Sequence, residues 1–350
     1  MSERNRHRKN DIPKRQTRKK KKRRNLLAEF IIITLSIVVI FFALAAGAFI
    51  FMFGGLQKEA ISSEDVSAVE ISDSDSTYTG KEIKNIALFG TDSREHDDSG
   101  RSDAIIIASV NTKTGVIKLI SIARDTYVNV PGHGNTKICH AYAYGGSSLA
   151  IKTLNTNFGL DITDFVSVNF DQLTEIVDKL GGIDVEITEN ERQEFNRVIA
   201  ETTNETLSQS GMVHLNGAQA LCYSRIRKGD SDDARTSRQR EVLQLLFEKM
   251  KKESPLKYPS IVRELMPYVT TSLNTEEIIK LAAVVVTKNP SMESAGMPNE
   301  YIEHSGGKID GVWYYIYDID TAADMIKEFI YDDIDFSQYG QPGSDITETN

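Results

Sequence analysis

Three kinds of hydrophobic pattern divide the chain. Residues 30–53 form an unbroken apolar run of about 24 residues with no charge and no polar face. At 1.5 Å per residue it would reach roughly 36 Å as a helix, enough to cross a hydrocarbon core of about 30 Å with some tilt. After a polar stretch at 57–80, short β-branched runs take over: 86–89 (IALF) closing in Gly90, 104–110 (AIIIASV) and 116–122 (VIKLISI). The last two are joined by 111–115 (NTKTG), which is the pattern of a β-hairpin. Residues 166–170, 183–187 and 313–319 also read as strands. Helical spacing predicts helices over 141–158, interrupted at Gly145-Gly146, and over 171–180, stopped by Gly181-Gly182. Further helices are predicted over 217–224, 237–252, 275–287 and 321–331. In 237–252, Val242, Leu243, Leu246, Phe247 and Met250 make one apolar face. Residues 189–214 are polar and follow no clear period. Helices and strands interleave, so the predicted class is α/β: a mixed central sheet sandwiched by helices on both faces.

Charge changes the reading of the first pattern. The chain has 350 residues and a formal net charge of −9. About +11 of charge sits before Asn25, which leaves about −20 on the remainder. The basic run at 18–24 (RKKKKRR) directly precedes the apolar one, so it orients a membrane span rather than grips nucleic acid. The expected organisation is a basic cytoplasmic tail at 1–26, a transmembrane signal-anchor at 27–56, a polar linker at 57–80, an extracytoplasmic domain at 81–335 and a flexible tail at 336–350. A cleaved signal peptide is the competing reading, but its apolar region would be shorter. The two cysteines, Cys139 and Cys222, permit one disulfide and require none.

Candidate chemistry follows from the predicted hairpin. Its turn marks one edge of the sheet, so the start of 104–110 and the end of 116–122 lie together at the opposite edge. Asp92, Arg101, Asp103 and Arg124 gather there if 86–89 is a neighbouring strand. Asp92 and Asp103 could share a hard cation such as Mg²⁺, or could each cap a turn or pair with an arginine. A second cluster lies at 218–240, with Arg225, Arg227, Arg235, Arg238 and Arg240. Arg235 and Gln239 are spaced i, i+4 and share a helix face. Taken alone this is a solvated charge run. Two guanidinium groups about 5 Å apart, however, repel by roughly 3 kcal/mol at an effective dielectric near 20. A phosphate anion would offset that cost, because the planar Arg fork suits it. Tyr142 and Tyr144 read as helix packing, and His133, His140 and His214 as hydrogen-bonding side chains rather than bases. There is no GxSxG or HExxH motif to suggest a protease.

Taken together, GTDSR (90–94), GRSDAIIIASV (100–110), ISIARDT (120–126), KICHAYAYGG (137–146), VDKLGGIDV (177–185), LNGAQALCYSRIRKGD (215–230) and DDARTSRQ (232–239) resemble the LytR–CpsA–Psr family of cell-envelope proteins. The resemblance covers roughly 81–331. It implies an α/β/α domain that binds a polyprenyl-pyrophosphate-linked glycan. It also implies a membrane-anchored phosphotransferase that moves a teichoic-acid-like or capsular polymer to peptidoglycan, forming a phosphodiester. The implied cofactor is Mg²⁺, or Mn²⁺ in its place, held by Asp92 and Asp103. Arg101, Arg124, Arg225, Arg227, Arg235, Arg238 and Gln239 are the implied pyrophosphate contacts, with Asp92, Asp103 and Arg124 catalytic. The chain departs from the family pattern at Ala123, Cys139 and Asp233-Ala234, without loss of a charged group. A hydrolase of the same pyrophosphate and a non-enzymatic envelope regulator are the alternatives. No nucleic-acid partner is expected.

Overall fold

The computed structural model describes residues 57–59, 61, 82–92, 100–201, 203, 205–226 and 232–340. The basic tail, the apolar run, most of the linker, residues 341–350 and Arg227 lie outside the described residues. Among the described residues no helix is long and apolar enough to cross a membrane.

The strands are β1 (Gln57–Lys58), β2 (Ile83–Thr91), β3 (Ser102–Asn111), β4 (Ile117–Ile122), β5 (Tyr127–Val130), β6 (Gly134–Lys137), β7 (Asp164–Asn169), β8 (Ile183–Ile187), β9 (Gly211–Leu215), β10 (Thr270–Thr271), β11 (Met292–Met297), β12 (His304–Ile309) and β13 (Val312–Tyr317). The helices are α1 (His140–Phe158), α2 (Phe170–Lys179), α3 (Glu189–Ile199), α4 (Gly217–Tyr223), α5 (Asp232–Lys251), α6 (Tyr258–Leu265), α7 (Thr275–Lys288) and α8 (Ile319–Lys327). Seven strands form one sheet in the order β1-β10-β7-β2-β3-β4-β11. β2, β3 and β4 are antiparallel neighbours, β7 runs parallel to β2, and β11 runs parallel to β4. This is the predicted mixed sheet, in which the predicted hairpin supplies β3 and β4.

Both faces of the sheet are covered. On one, Phe89, Ile107, Ile120 and Phe165 pack with Ile151, Leu154 and Phe158 of α1 and with Ile326 of α8, all at most 2% exposed. On the other, Ile106, Ala108 and Leu119 meet Val284 of α7 and Leu243 and Phe247 of α5. A separate cluster joins the β8–β9 hairpin to α3 and α4, and Val242 and Leu246 of α5 complete it. Helix α5 therefore serves two cores. Its apolar positions, which the sequence suggests form one stripe, divide between two partners.

Several boundaries differ from the sequence reading. Residues 189–214 contain α3 and β9, and the helix start is a capping box. Thr188 Oγ1 accepts from Glu191 N–H, while the Glu191 carboxylate accepts from the Thr188 N–H. Helix α5 starts at Asp232 rather than 237, and Phe170 opens α2 rather than closing β7. The linker's first residues, Gln57–Lys58, pair with β10. Phe336 is buried in the main core, so the folded unit continues beyond residue 335. The kink at Gly145-Gly146 is present inside α1. Cys139 and Cys222 are free and sit in different buried clusters, so they are not bridged.

Candidate functional site

The carboxyl ends of β2 and β4 and the start of β3 meet at one edge of the sheet, as the hairpin geometry requires. The β2–β3 register shifts between Gly90 and Thr91. Such irregularities re-aim side chains next to functional sites. Gly90 faces Ala104 so closely that a Cβ there would lie 3.0 Å from the Ala104 Cβ. Beyond the shift, Asp92 Oδ1 accepts the Arg101 backbone N–H at 2.7 Å. Asp103, two residues further on, takes a hydrogen bond from Arg124 Nη1 at 2.5 Å.

Arg124 follows β4 in a tight turn. The Ala123 carbonyl accepts from Thr126 N–H and Oγ1, and the Arg124 carbonyl accepts from Cys139 N–H at 3.2 Å. Burial works to lower the Arg124 pKa, but the Asp103 carboxylate more than offsets it, so the guanidinium is held even more firmly charged. From the second cluster, Arg225 lies just after α4 with its guanidinium 4.8 Å from the Phe170 ring centroid. A cation–π contact of this kind contributes about 0.5–1 kcal/mol and fixes the fork's direction. Arg235 and Gln239 project from adjacent turns of α5, and Arg235 is only 3% exposed.

These groups share a cavity of about 640 Å³. Its polar end carries Asp103, Arg124, Arg225, Arg235 and Gln239. Most of the rest is apolar: Leu88 and Ile106 from the sheet, Val166 and Val168 from β7, Leu173 and Ile176 from α2, and Val242, Leu243 and Leu246 from α5, with Asn169, Ser224 and Glu201, which pairs with Arg197, the further polar groups. Ligand sites commonly have volumes of about 300–1,000 Å³. An amphipathic guest with a strongly anionic head and a long apolar body matches both ends. Among the described residues, Arg124 Nε, Gln239 Oε1 and the neighbouring Ser102 Oγ are buried with no hydrogen-bond partner. Native proteins satisfy nearly all buried polar atoms, so such orphans mark where a polar ligand group belongs. Rotation of the Gln239 amide would present its NH₂ donors instead.

The remaining expected site residues are placed differently. Asp92 and Arg101 lie at the same sheet edge but do not line the cavity. Arg238 is buried away from it: Nε pairs with Glu191 at 3.0 Å and Nη1 donates to the Ile226 carbonyl at 3.2 Å. Arg227 lies outside the described residues. His140 is a hydrogen-bonder, with Nδ1 2.9 Å from Thr136 Oγ1, and Tyr142 packs edge-on against Phe89. Tyr144, expected to pack, is 50% exposed. Phe170, Leu173 and Ile176 were not candidates from sequence. Apolar residues at helical spacing look the same whether they face a core or a cavity.

As for a metal, the carboxylates of Asp92 and Asp103 are hard oxygen donors of the kind Mg²⁺ takes. Each has one oxygen engaged, by the Arg101 N–H and by Arg124. Among the described residues there is no cluster of three or more His, Cys, Asp or Glu side chains. An ion here would rest on these two carboxylates, with waters and phosphate oxygens completing its shell.

The chain is similar to known proteins in sequence and fold. The chain is 33% identical over 254 residues to the polyisoprenyl-teichoic acid–peptidoglycan teichoic acid transferase TagT of Bacillus subtilis (strain 168), covering 71% of this chain and 76% of that one. A solved structure of TagT bound to LIIa-WTA superposes with a TM-score of 0.60 at 29% identity, covering 72% of this chain and 91% of that one. A structure of the LytR-CPS2A-psr family protein YwtF (TagT) with bound octaprenyl pyrophosphate lipid gives 0.57 at 27%, covering 73% and 91%. The family model LytR_cpsA_psr matches residues 51–330, a span that holds the sheet edge and every wall of the cavity described above, and the chain belongs to that family.

Proposed function

We propose that this chain is a membrane-anchored transferase that moves a teichoic-acid-like glycopolymer from a polyprenyl-pyrophosphate carrier to peptidoglycan. The observation that carries the reading is a cavity lined both by apolar side chains and by Arg124, Arg225, Arg235 and Gln239. The relatives named for teichoic acid transfer, and the family structure holding octaprenyl pyrophosphate, support the same assignment. The polyprenyl chain lies along Leu173, Ile176, Val242 and Leu246, and the pyrophosphate meets the arginines.

In the reaction a peptidoglycan hydroxyl attacks the phosphorus that carries the glycan. The new P–O bond forms as the bond to the bridging oxygen breaks, polyprenyl phosphate leaves, and the hydroxyl proton is released. Phosphoryl transfer depends mainly on positioning and on neutralising charge at the transferring and leaving groups. Arg124, held by Asp103 and by the turn around Ala123, supplies fixed positive charge at the strand ends. Arg225, steered by Phe170 just after α4, and Arg235 of α5 supply it from the other wall, and the family pattern implies the same role for Arg227. Asp92 and Asp103 would hold Mg²⁺, which when bound supplies further charge neutralisation at the phosphates. The basic segment at 18–24 and the apolar run at 30–53 would anchor the domain on the outer face of the membrane.

Arg124→Ala and Arg227→Ala are each expected to abolish transfer of labelled lipid-linked glycan to peptidoglycan while the thermal unfolding profile stays cooperative. Full activity in either variant overturns the assignment. Product analysis with and without a glycan acceptor separates a transferase from a pyrophosphate hydrolase, which would release free glycan phosphate in both cases.

A further inference from the structure

At the same end of the sheet, outside the apolar cavity, three rings gather that the chemistry above does not use. His133 stands in the turn between β5 and β6. Its ring stacks on Tyr144 with centroids 4.5 Å apart and planes at 23°. His140, at the start of α1, tilts against the same tyrosine at 5.8 Å. The His140 ring is itself tied down by Thr136. Although held from two sides, Tyr144 remains 50% exposed. Directly after it the helix breaks at Gly145 and Gly146, and nothing lies within 4 Å of where a Cβ on Gly146 would sit. A flat ring, fixed in orientation by two neighbours, thus stays half exposed.

Its position relates it to the site. Helix α1 is tethered to Arg124, because Cys139 N–H donates to the Arg124 carbonyl, and His140 is the next residue. The positive charge of Arg101 is close enough, after burial, to help lower the His140 pKa. The rings therefore border the Arg101–Arg124 end, where the phosphates would sit. With the lipid and pyrophosphate in the cavity, the sugars on both sides of the reaction lie outside it at this end, and the acceptor arrives past this shoulder.

Sugars have the complementary chemistry. A pyranose ring carries an apolar C–H face and a rim of hydroxyl and amide groups. An ordered aromatic face flanked by imidazole donors and acceptors suits both parts. We propose that Tyr144, His133 and His140 form the acceptor subsite, a platform on which an amino-sugar ring of a peptidoglycan glycan strand stacks beside the phosphate site. This rests on the transferase reading, and the test separates the two.

The test uses the full chain in lipid nanodiscs and measures binding of soluble, uncrosslinked peptidoglycan glycan strands with no donor present. Binding of octaprenyl pyrophosphate is measured in parallel. Tyr144→Ala is expected to weaken strand binding about tenfold, the scale of a lost aromatic stack, and Tyr144→Phe to stay within about twofold. Octaprenyl pyrophosphate binding should be the same in all three proteins. Strand binding that is undetectable in the unsubstituted chain, or equal in Tyr144→Ala, overturns the platform. So does a parallel loss of octaprenyl pyrophosphate binding, which would mean that Tyr144 acts through the fold. Because neither readout needs turnover, a chain that binds strands through Tyr144 yet transfers nothing would overturn the transferase reading and keep the platform.

Discussion

Cys139 and Cys222 sit in the two buried clusters on either side of the site, and burial pushes both thiols up to about 12. The thiolate is the reactive form, so both should resist iodoacetamide at pH 8 in the folded chain and react fully in denaturant. Intact-mass analysis of the labelled protein checks this, and rapid native labelling would contradict the packing. A second residue-scale effect is pH dependence. Lys84 donates to Asp164 and to Glu277, and Asp164 also accepts from Ser272 Oγ. Burial opposes the Asp164 charge, but bonds from Lys84, Thr163 and Ser272 outweigh it and lower the pKa. A depressed carboxylate contributes stability that is complete above its unfolded pKa and is lost as pH falls through the folded one. Asp164→Asn should therefore lower the melting temperature at pH 7 and flatten its further decline between about pH 5 and pH 2. At this scale the sequence was informative about charge and poor about partners. Asp103 and Arg124 were legible as neighbours because a hairpin brings its two open ends together. The pairing of Arg238 with Glu191 was not, because Glu191 lies in a stretch whose only structural signal is the Thr188–Glu191 capping box.

Among the elements, α5 carries the most. Its first turns hold Arg235, Arg238 and Gln239, and its later turns pack into two cores. The Arg238–Glu191 pair ties it to the start of α3, with the partners' side chains only 7% and 18% exposed. Removing Glu191 takes away this charged hydrogen bond, worth about 1.5–3 kcal/mol, together with the α3 capping box, worth about 0.5–2 kcal/mol. Glu191→Ala should therefore lower urea unfolding stability by an amount of that order, and a change under 1 kcal/mol would show that the pair is not a support. The helix was legible over its apolar half. Its start was set five residues too late, because the first turns carry charges rather than an apolar period. Strand β11 and helix α6 were missed for a related reason: MESAGM and YPSIVREL are too short and mixed to declare a period.

Across the whole molecule, a covered mixed sheet was readable because runs of β-branched residues alternate with helical spacing. The cavity was not readable, since the gap arises from how α2, α4 and α5 stand off the β7–β2–β3 surface rather than from any one segment. Filling it is a direct test of its role. Ile176→Trp places a large ring in the cavity more than one helical turn along α2 from Phe170, the ring that Arg225 stacks on. Affinity for octaprenyl pyrophosphate should fall about tenfold or more, while inorganic pyrophosphate binds as before. Equal loss of both ligands would mean that the substitution disturbs the anion site instead.

Helix α5 contributes Val242 and Leu246 to one hydrophobic cluster, Leu243 and Phe247 to another, and Arg235 and Gln239 to the mouth of the channel between them. It acts as a shared axle. The seating of one rod therefore fixes two hydrophobic clusters and the position of two polar side chains at the cavity mouth together. A substitution that shifts α5 as a body would be felt in all three places, whereas one that only fills the space beside it would not.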